Sequence, residues 1–96
     1  MKLDILSEQK DQQLLHYFCL LSKNHRYDLA IGYSSHFYGK AMVTSMQTGN
    51  MVLLCQEDTY TPHYWADRLG IEEEDITEFQ DFFGLVLQSG PFQEQY

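Results

Sequence analysis

The hydrophobic pattern of the sequence changes its period near residue 56, and this change restricts the fold more than any other feature. Residues 14–55 contain four short apolar or alternating segments separated by turn residues, as in β-strands. Beyond residue 56, apolar residues recur every three or four positions, as in amphipathic helices. Because the strand segments follow one another closely, we predict an α+β fold: a four-stranded antiparallel β-meander followed by two C-terminal helices packed on one face.

The predicted strands differ in pattern. Residues 14–21 form an apolar run interrupted by a single histidine, which predicts a strand buried on both faces. In residues 27–34, large apolar residues alternate with small or polar ones, so one face of this strand is predicted to enter the core. The third and fourth strands are predicted at residues 41–47 and 51–55. Gly49-Asn50 between them predicts a two-residue type II′ hairpin turn.

Both predicted helices have recognisable ends. Thr61 is a suitable N-cap, and Pro62 suits the first helical position because it lacks the N–H group that a helix leaves unpaired there. Gly70 closes this first helix in a left-handed conformation. A second apolar stripe predicts a helix from about Glu72 or Asp75, where acidic side chains favour a helix N-terminus, to Ser89.

A chain of 96 residues, 44% of them hydrophobic, supports one compact core. We predict a single domain over residues 14–90, with residues 1–13 as an N-terminal arm or short helix and residues 91–96 as a C-terminal tail. No signal peptide is recognisable, and no segment approaches the roughly 20 apolar residues of a membrane span. Cys19 and Cys55 lie in apolar segments, so we predict reduced, buried thiols and a cytoplasmic location.

The net charge of −8 argues against nucleic acid and anionic membranes as partners. Residues 1–56 carry four acidic and five basic side chains, whereas residues 57–96 carry ten acidic side chains and one arginine. The helical part therefore holds almost all of the negative charge. The favoured interpretation is a solvated outer helix face, and the alternative is a docking surface for a basic partner.

The spacing of reactive residues predicts neither catalysis nor a cofactor. His16, His25, His36 and His63 are scattered along the chain, and His16 and Cys19, three residues apart, form the one histidine–cysteine pair at short spacing, so the two paired sets of ligands of a structural zinc site are absent. A Cys55–His63 nucleophile pair is conceivable, but a cysteine that ends an apolar strand is usually a small core residue. We therefore predict no catalytic residues, no metal ligands and no cofactor.

Two aromatic clusters are candidates for binding a protein partner. The first is the loop that contains His36, Phe37, Tyr38 and Lys40, because a short connection cannot easily turn the adjacent rings of Phe37 and Tyr38 inward together. The second surrounds the first helix and includes Tyr64 and Trp65. For each cluster, the alternative interpretation is packing of the rings onto the sheet.

Two further hypotheses follow from the predicted strands. If the first strand is apolar on both faces, something must cover its second face, either the N-terminal arm or a second copy of the chain. In the other hypothesis, the small residues Ala30 and Gly32, with Gly39 and Gly49, leave room for a small ligand beside the second strand.

Three segments, at residues 26–33, 37–40 and 46–49, resemble a family of short acidic cytoplasmic proteins of Gram-positive Firmicutes that is classed as a domain of unknown function. The resemblance extends over about residues 14–90. It departs at Ala41, where the family pattern has proline after Gly-Lys. The resemblance implies a cytoplasmic location and an α+β fold, and it supplies no activity, substrate or catalytic residue.

These observations together favour a non-enzymatic protein-interaction module that binds a protein partner or a second copy of itself as a homodimer. The alternative is a small-ligand-binding protein or minor enzyme with a site beside Ala30 and Gly32.

Overall fold

The computed structural model describes residues 2–10, 12 and 14–87. Four strands form one antiparallel sheet in the order β1-β2-β3-β4, and two helices follow them in the chain. The predicted α+β fold is confirmed. The elements are β1 (Leu14–Leu21), β2 (Arg26–Tyr33), β3 (Ala41–Ser45), β4 (Met51–Leu54), α1 (Pro62–Leu69) and α2 (Ile76–Val86), with 3-10 turns at Ser35–Phe37, Gln56–Tyr60 and Glu73–Asp75.

The core lies between one face of the sheet and the two helices. The alternating pattern of β2 places Leu29 and Ile31 in this core, where both are almost completely buried. Trp65 of α1 and Phe83 of α2 meet edge to face with ring centroids 5.2 Å apart, and neither ring reaches solvent. The Trp65 indole also donates a hydrogen bond to the Asp58 carbonyl at 3.0 Å, so its polar atom is satisfied within the core.

The ends of α1 follow the sequence signals, with one difference. The helix begins with Pro62 at its first turn and ends at Gly70, whose φ of 69° is left-handed. The Thr61 hydroxyl, however, donates to the Asp58 carbonyl at 3.0 Å and does not cap the helix. The second helix begins at Ile76, after a 3-10 turn, and ends at Val86, three residues before its predicted end at Ser89. Ser89 itself and the predicted tail lie outside the described residues.

The connection between β3 and β4 is longer than predicted. The third strand ends at Ser45, and the pair Thr44–Met51 is the last in its register with β4. Gly49 has a φ of 75°, and its N–H donates to the Ser45 carbonyl at 2.8 Å across a turn of five residues. The prediction of a two-residue type II′ turn is therefore wrong, because Gly49 supplies its positive φ within a wider turn.

The prediction that the first strand is buried on both faces is also wrong. β1 lies at the edge of the sheet, and six of its eight residues are exposed. Cys19 is exposed with them, which contradicts its predicted burial, while Cys55 is half-buried. An apolar run forms a central strand only if neighbouring elements cover both of its faces. Among the described residues, no element covers the outer face of β1.

Residues 2–10 form no regular secondary structure, and all of them are exposed. Leu3, Ile5 and Leu6 of this arm are each at least three-quarters exposed. The arm therefore does not bury its apolar side chains against the sheet. In the part of the chain that the structure describes, no helix is long and apolar enough to span a membrane.

Candidate functional site

The most unusual surface of the molecule is the face of the sheet that points away from the helices, here called the outer face. It consists of the strand residues that alternate with those of the core: Leu15, Tyr17, Cys19 and Leu21 of β1, Arg26, Asp28, Ala30 and Gly32 of β2, Met42 and Thr44 of β3, and Met51 and Leu53 of β4. A solvated face of an antiparallel sheet is usually polar. Most of these residues are apolar or small.

Several large apolar side chains of the outer face are open to solvent. Tyr17 is 70% exposed and Leu21 is 77% exposed, both on β1, and Met51 is 44% exposed at the other side of the sheet. Met46, just beyond β3, lines a shallow hollow of about 430 Å³ together with Tyr17, Phe18, Cys19, Asp28 and Leu29. The outer face therefore exposes large apolar side chains on two of its strands, β1 and β4.

The register explains why the small residues of β2 do not form a pocket for a ligand. Gly32 lies between Leu15 and Met42, and Ala30 lies between Tyr17 and Thr44. These larger neighbours bury both small residues.

The other two members of the predicted ligand set are also separated from each other. Gly39 precedes β3 and Gly49 follows it, so they lie at opposite ends of that strand, and both are exposed. The structure does not bring Ala30, Gly32, Gly39 and Gly49 into one site.

The strands place only one pair of opposite charges on the outer face. Arg26 Nε donates to Asp28 Oδ2 at 3.2 Å, and Gln47 Nε2 donates to the same oxygen at 2.7 Å. The hydrogen bond from Arg26 lowers the pKa of Asp28, so the carboxylate stays ionised and cancels the charge of the guanidinium. The outer face is therefore close to neutral on a chain whose net charge is −8.

The predicted aromatic loop presents one ring to solvent. Ser34 accepts a hydrogen bond from the His36 N–H at 3.1 Å and fixes the start of the 3-10 turn at Ser35–Phe37. Phe37 is half-buried, whereas Tyr38 is 91% exposed and has a left-handed φ of 56°. A tyrosine in this conformation is strained, because its Cβ lies close to the backbone carbonyl.

Lys40 is engaged within the molecule. Its Nζ donates to Asp58 Oδ2 at 3.0 Å, and the Cys55 N–H donates to the same oxygen at 3.0 Å. Burial alone would raise the pKa of Asp58, but the hydrogen bonds from Cys55 and Lys40 lower it overall. The Cys55 thiol also contacts Asp58, with Sγ 3.4 Å from Oδ2. His63, the other member of the nucleophile pair considered in the sequence, is exposed.

The second aromatic cluster is divided between core and surface. Trp65 is fully buried, so the prediction that it contacts a partner is inconsistent with its position. Tyr64 is 44% exposed and donates its hydroxyl to the Leu53 carbonyl at 3.3 Å, which covers part of the free edge of β4. The other edge strand, β1, contains no lysine, proline or acidic residue of the kind that protects sheet edges.

The structure also brings His25 close to Glu74 and Asp75, two adjacent acidic residues that lie far from it in the sequence. His25 Nε2 lies 2.8 Å from Glu74 Oε2, and one ligand atom from each of His25, Glu74 and Asp75 lies within 4.8 Å of the others. Sequence reasoning grouped His25 with the other histidines and assigned the acidic run to solvent. The acidic run was visible in the sequence, but nothing local links it to a histidine 49 positions away.

Residues 6–84 match the family described as SAV0927-like, which covers most of the chain. No curated protein matches the sequence. The family is one of unknown function, as the resemblance at residues 26–49 implied. By the extent of this match, the chain belongs to the SAV0927-like family.

Proposed function

We propose that the protein is a non-enzymatic, cytoplasmic interaction module that forms a homodimer through the outer faces of two sheets. The exposed apolar surface of the outer face supports this proposal best, because water solvates it poorly and no described part of the same chain buries it. The cytoplasmic location rests on the sequence features and on the resemblance described above.

The distribution of charge favours a second copy as the occupant. Residues 57–96 hold ten of the fourteen acidic side chains, whereas the outer face holds one compensated pair, Arg26 and Asp28. Two copies that meet through their outer faces place their acidic helices on the far sides of the dimer, which minimises repulsion between them. A basic partner, by contrast, would gain little from a neutral surface.

The size of the outer face is suitable for a weak dimer. Four strands at a spacing of about 4.8 Å and strand lengths of roughly 20 Å give a flat area of about 400 Å² per copy, or about 800 Å² for the pair. Stable interfaces begin at roughly 1,200 Å² in total. The outer face alone is smaller than this, which is in keeping with a weak dimer and not a permanent one.

The oligomeric state tests the proposal directly. We expect sedimentation equilibrium at about 100 μM, a concentration suited to a weak interface, to detect dimers of the wild-type chain. Tyr17→Glu places a charge among the exposed apolar side chains of β1 on the outer face and should shift the protein to monomer. Tyr60→Glu is the matched control, because Tyr60 is similarly exposed, at 76%, but lies in the turn that precedes α1.

Two results would contradict the homodimer. One is a wild-type chain that is monomeric at this concentration, and the other is an equal effect of the two substitutions. Circular dichroism of each variant checks that the fold is retained. A monomer that becomes a dimer after deletion of residues 2–12 would identify the arm, and not a second copy, as the normal cover of the outer face.

The aromatic loop adds a smaller surface to this proposal. Of the loop residues proposed to bind a partner, His36 and Tyr38 are exposed, Phe37 is half-buried and Lys40 is paired with Asp58. A strained backbone that displays an exposed tyrosine is consistent with a contact residue for a protein partner.

A further inference from the structure

We propose that His25, Glu74 and Asp75 bind one divalent transition-metal ion of the zinc class. His25 lies in the turn between β1 and β2, and the two carboxylates lie in the 3-10 turn that precedes α2. Each residue offers one ligand atom, and these atoms lie within 4.8 Å of one another. The proposal concerns ion binding at this cluster and is independent of the dimer.

The buried carboxylate of Asp75 is the most informative member of the cluster. The side chain is 4% exposed, and its Oδ2 accepts hydrogen bonds from the Tyr27 hydroxyl at 2.6 Å and the Ser22 hydroxyl at 2.9 Å. Among the described residues, no group donates a hydrogen bond to the other oxygen, Oδ1. Since every buried side-chain oxygen of the described residues has a hydrogen-bond partner, Oδ1 reaches solvent, and its lone pairs are open to a cation.

The ligand atoms lie within 4.8 Å of one another, so side-chain adjustments can bring them around a small ion. A tetrahedral ion with bonds of about 2.0–2.1 Å holds neighbouring ligand atoms roughly 3.4 Å apart. The pair His25 Nε2 and Glu74 Oε2, now 2.8 Å apart, must separate by roughly half an ångström to admit it. To bind the ion, the neutral imidazole presents the lone pair of Nε2 and keeps its one proton on Nδ1, so the ion replaces the contact between Nε2 and Glu74.

The donor set determines the class of ion. One imidazole and two carboxylates suit zinc, cobalt or manganese, whereas calcium prefers six to eight oxygen ligands. The two carboxylates balance the charge of a divalent ion. The side chains of His25 and Glu74 are 37% and 52% exposed, so an ion can enter from solvent and retain a water molecule in its fourth position.

An outer set of hydrogen bonds holds the ligands in place. The Tyr27 hydroxyl accepts from the Glu72 N–H at 3.1 Å while it donates to Asp75, which fixes that carboxylate relative to β2. Asn24 Nδ2 donates to Glu74 Oε2 at 3.4 Å. Groups of this kind orient the ligands of metal sites and increase metal affinity.

Calorimetric titration of the untagged, chelator-treated protein with zinc chloride tests the proposal. We expect saturable binding of one ion per chain, and visible absorption bands of a low-coordinate ion when cobalt replaces zinc. His25→Ala and Glu74→Gln should each weaken binding at least about tenfold, because each removes a direct ligand. Glu73→Gln is the matched control, since it removes one neighbouring exposed carboxylate and no ligand.

The proposal is overturned if the wild-type protein shows no saturable binding. It is also overturned if Glu73→Gln weakens binding as much as Glu74→Gln, because the acidic segment would then attract cations without a defined site. Both ligand variants change partly exposed side chains, so the fold should survive them, and circular dichroism confirms this before titration.

Discussion

Replacing Tyr27 with phenylalanine removes one hydroxyl group from the buried contact between β2 and the start of α2. The Tyr27 ring is 4% exposed and packs edge to face on Phe79 with centroids 4.9 Å apart, an arrangement that phenylalanine preserves. The hydroxyl donates to Asp75 at 2.6 Å and accepts from the Glu72 N–H at 3.1 Å. The substitution therefore isolates the contribution of these two hydrogen bonds.

The expected loss follows from the nature of the two bonds. A hydrogen bond to a charged group contributes about 1.5–3 kcal/mol, and the partly buried bond from the Glu72 N–H contributes about 0.5–1 kcal/mol. We expect the free energy of unfolding to fall by about 3 kcal/mol, which is a large part of the total of about 5–15 kcal/mol that a small domain possesses. Urea unfolding with a chelator present, followed through the fluorescence of the buried Trp65, measures this loss.

Tyr64→Phe is the control for this experiment. It deletes the same atom from a residue that is 44% exposed and whose hydroxyl lies 3.3 Å from its acceptor, so the expected loss is below about 0.5 kcal/mol. Equal losses in the two variants would refute the claim that the Tyr27 hydroxyl is a structural link.

The ionisation of Tyr27 provides a second measurement. Burial and the neighbouring Asp75 raise the pKa of Tyr27 to about 12, above the value of about 10 in an unfolded chain. The unfolded state therefore loses its proton first as the pH rises. The contribution of this pKa difference to the free energy of unfolding is fully present below pH 10 and is lost as the pH approaches 12. Tyr27→Phe should remove this part of the alkaline loss, and an unchanged alkaline profile would contradict the assignment.

Three further predictions concern connections between elements. Asp58→Asn should lower the urea midpoint at pH 7 but have less effect below pH 4, because the pKa of Asp58 is lowered in the folded state and its contribution disappears as the carboxylate is protonated. Gly70→Ala should reduce the free energy of unfolding by about 1–2 kcal/mol, since φ is 69° and the new Cβ would lie 2.7 Å from Thr48 Cγ2. Tyr38→Gly should raise the free energy of unfolding by up to about 1 kcal/mol, because glycine adopts the left-handed φ of this position without strain. A lower free energy of unfolding would show instead that the exposed ring makes a stabilising contact.

The local pattern of the sequence was sufficient to predict the order and type of the main elements. The alternation in residues 27–34 identified the core face of β2, and Pro62 and Gly70 marked the two ends of α1. These signals are local, so one sequence is enough to interpret them. The burial of β1 was predicted wrongly because an apolar strand has the same sequence whether it is central or at an open edge.

The candidate sites were harder to predict because they depend on tertiary contacts. Nothing local distinguishes Trp65, which fills the core, from Tyr64 beside it, which reaches the surface. The cluster of His25 with Glu74 and Asp75 exists only because the turn after β1 lies against the segment that precedes α2. The outer face could be recognised only after the register of the four strands placed its residues together.

The bare edge of β1 has a consequence for how the chain behaves when it is concentrated. Its eight residues carry no fixed charge, and their outward N–H and C=O groups can template a strand from any neighbouring chain. Pairing through the two outer faces is self-limiting and stops at two copies, whereas strand addition at an edge has no such stopping point. Overproduction therefore favours ribbon-like aggregates, and a single lysine introduced into β1 is the simplest means of keeping the protein in solution.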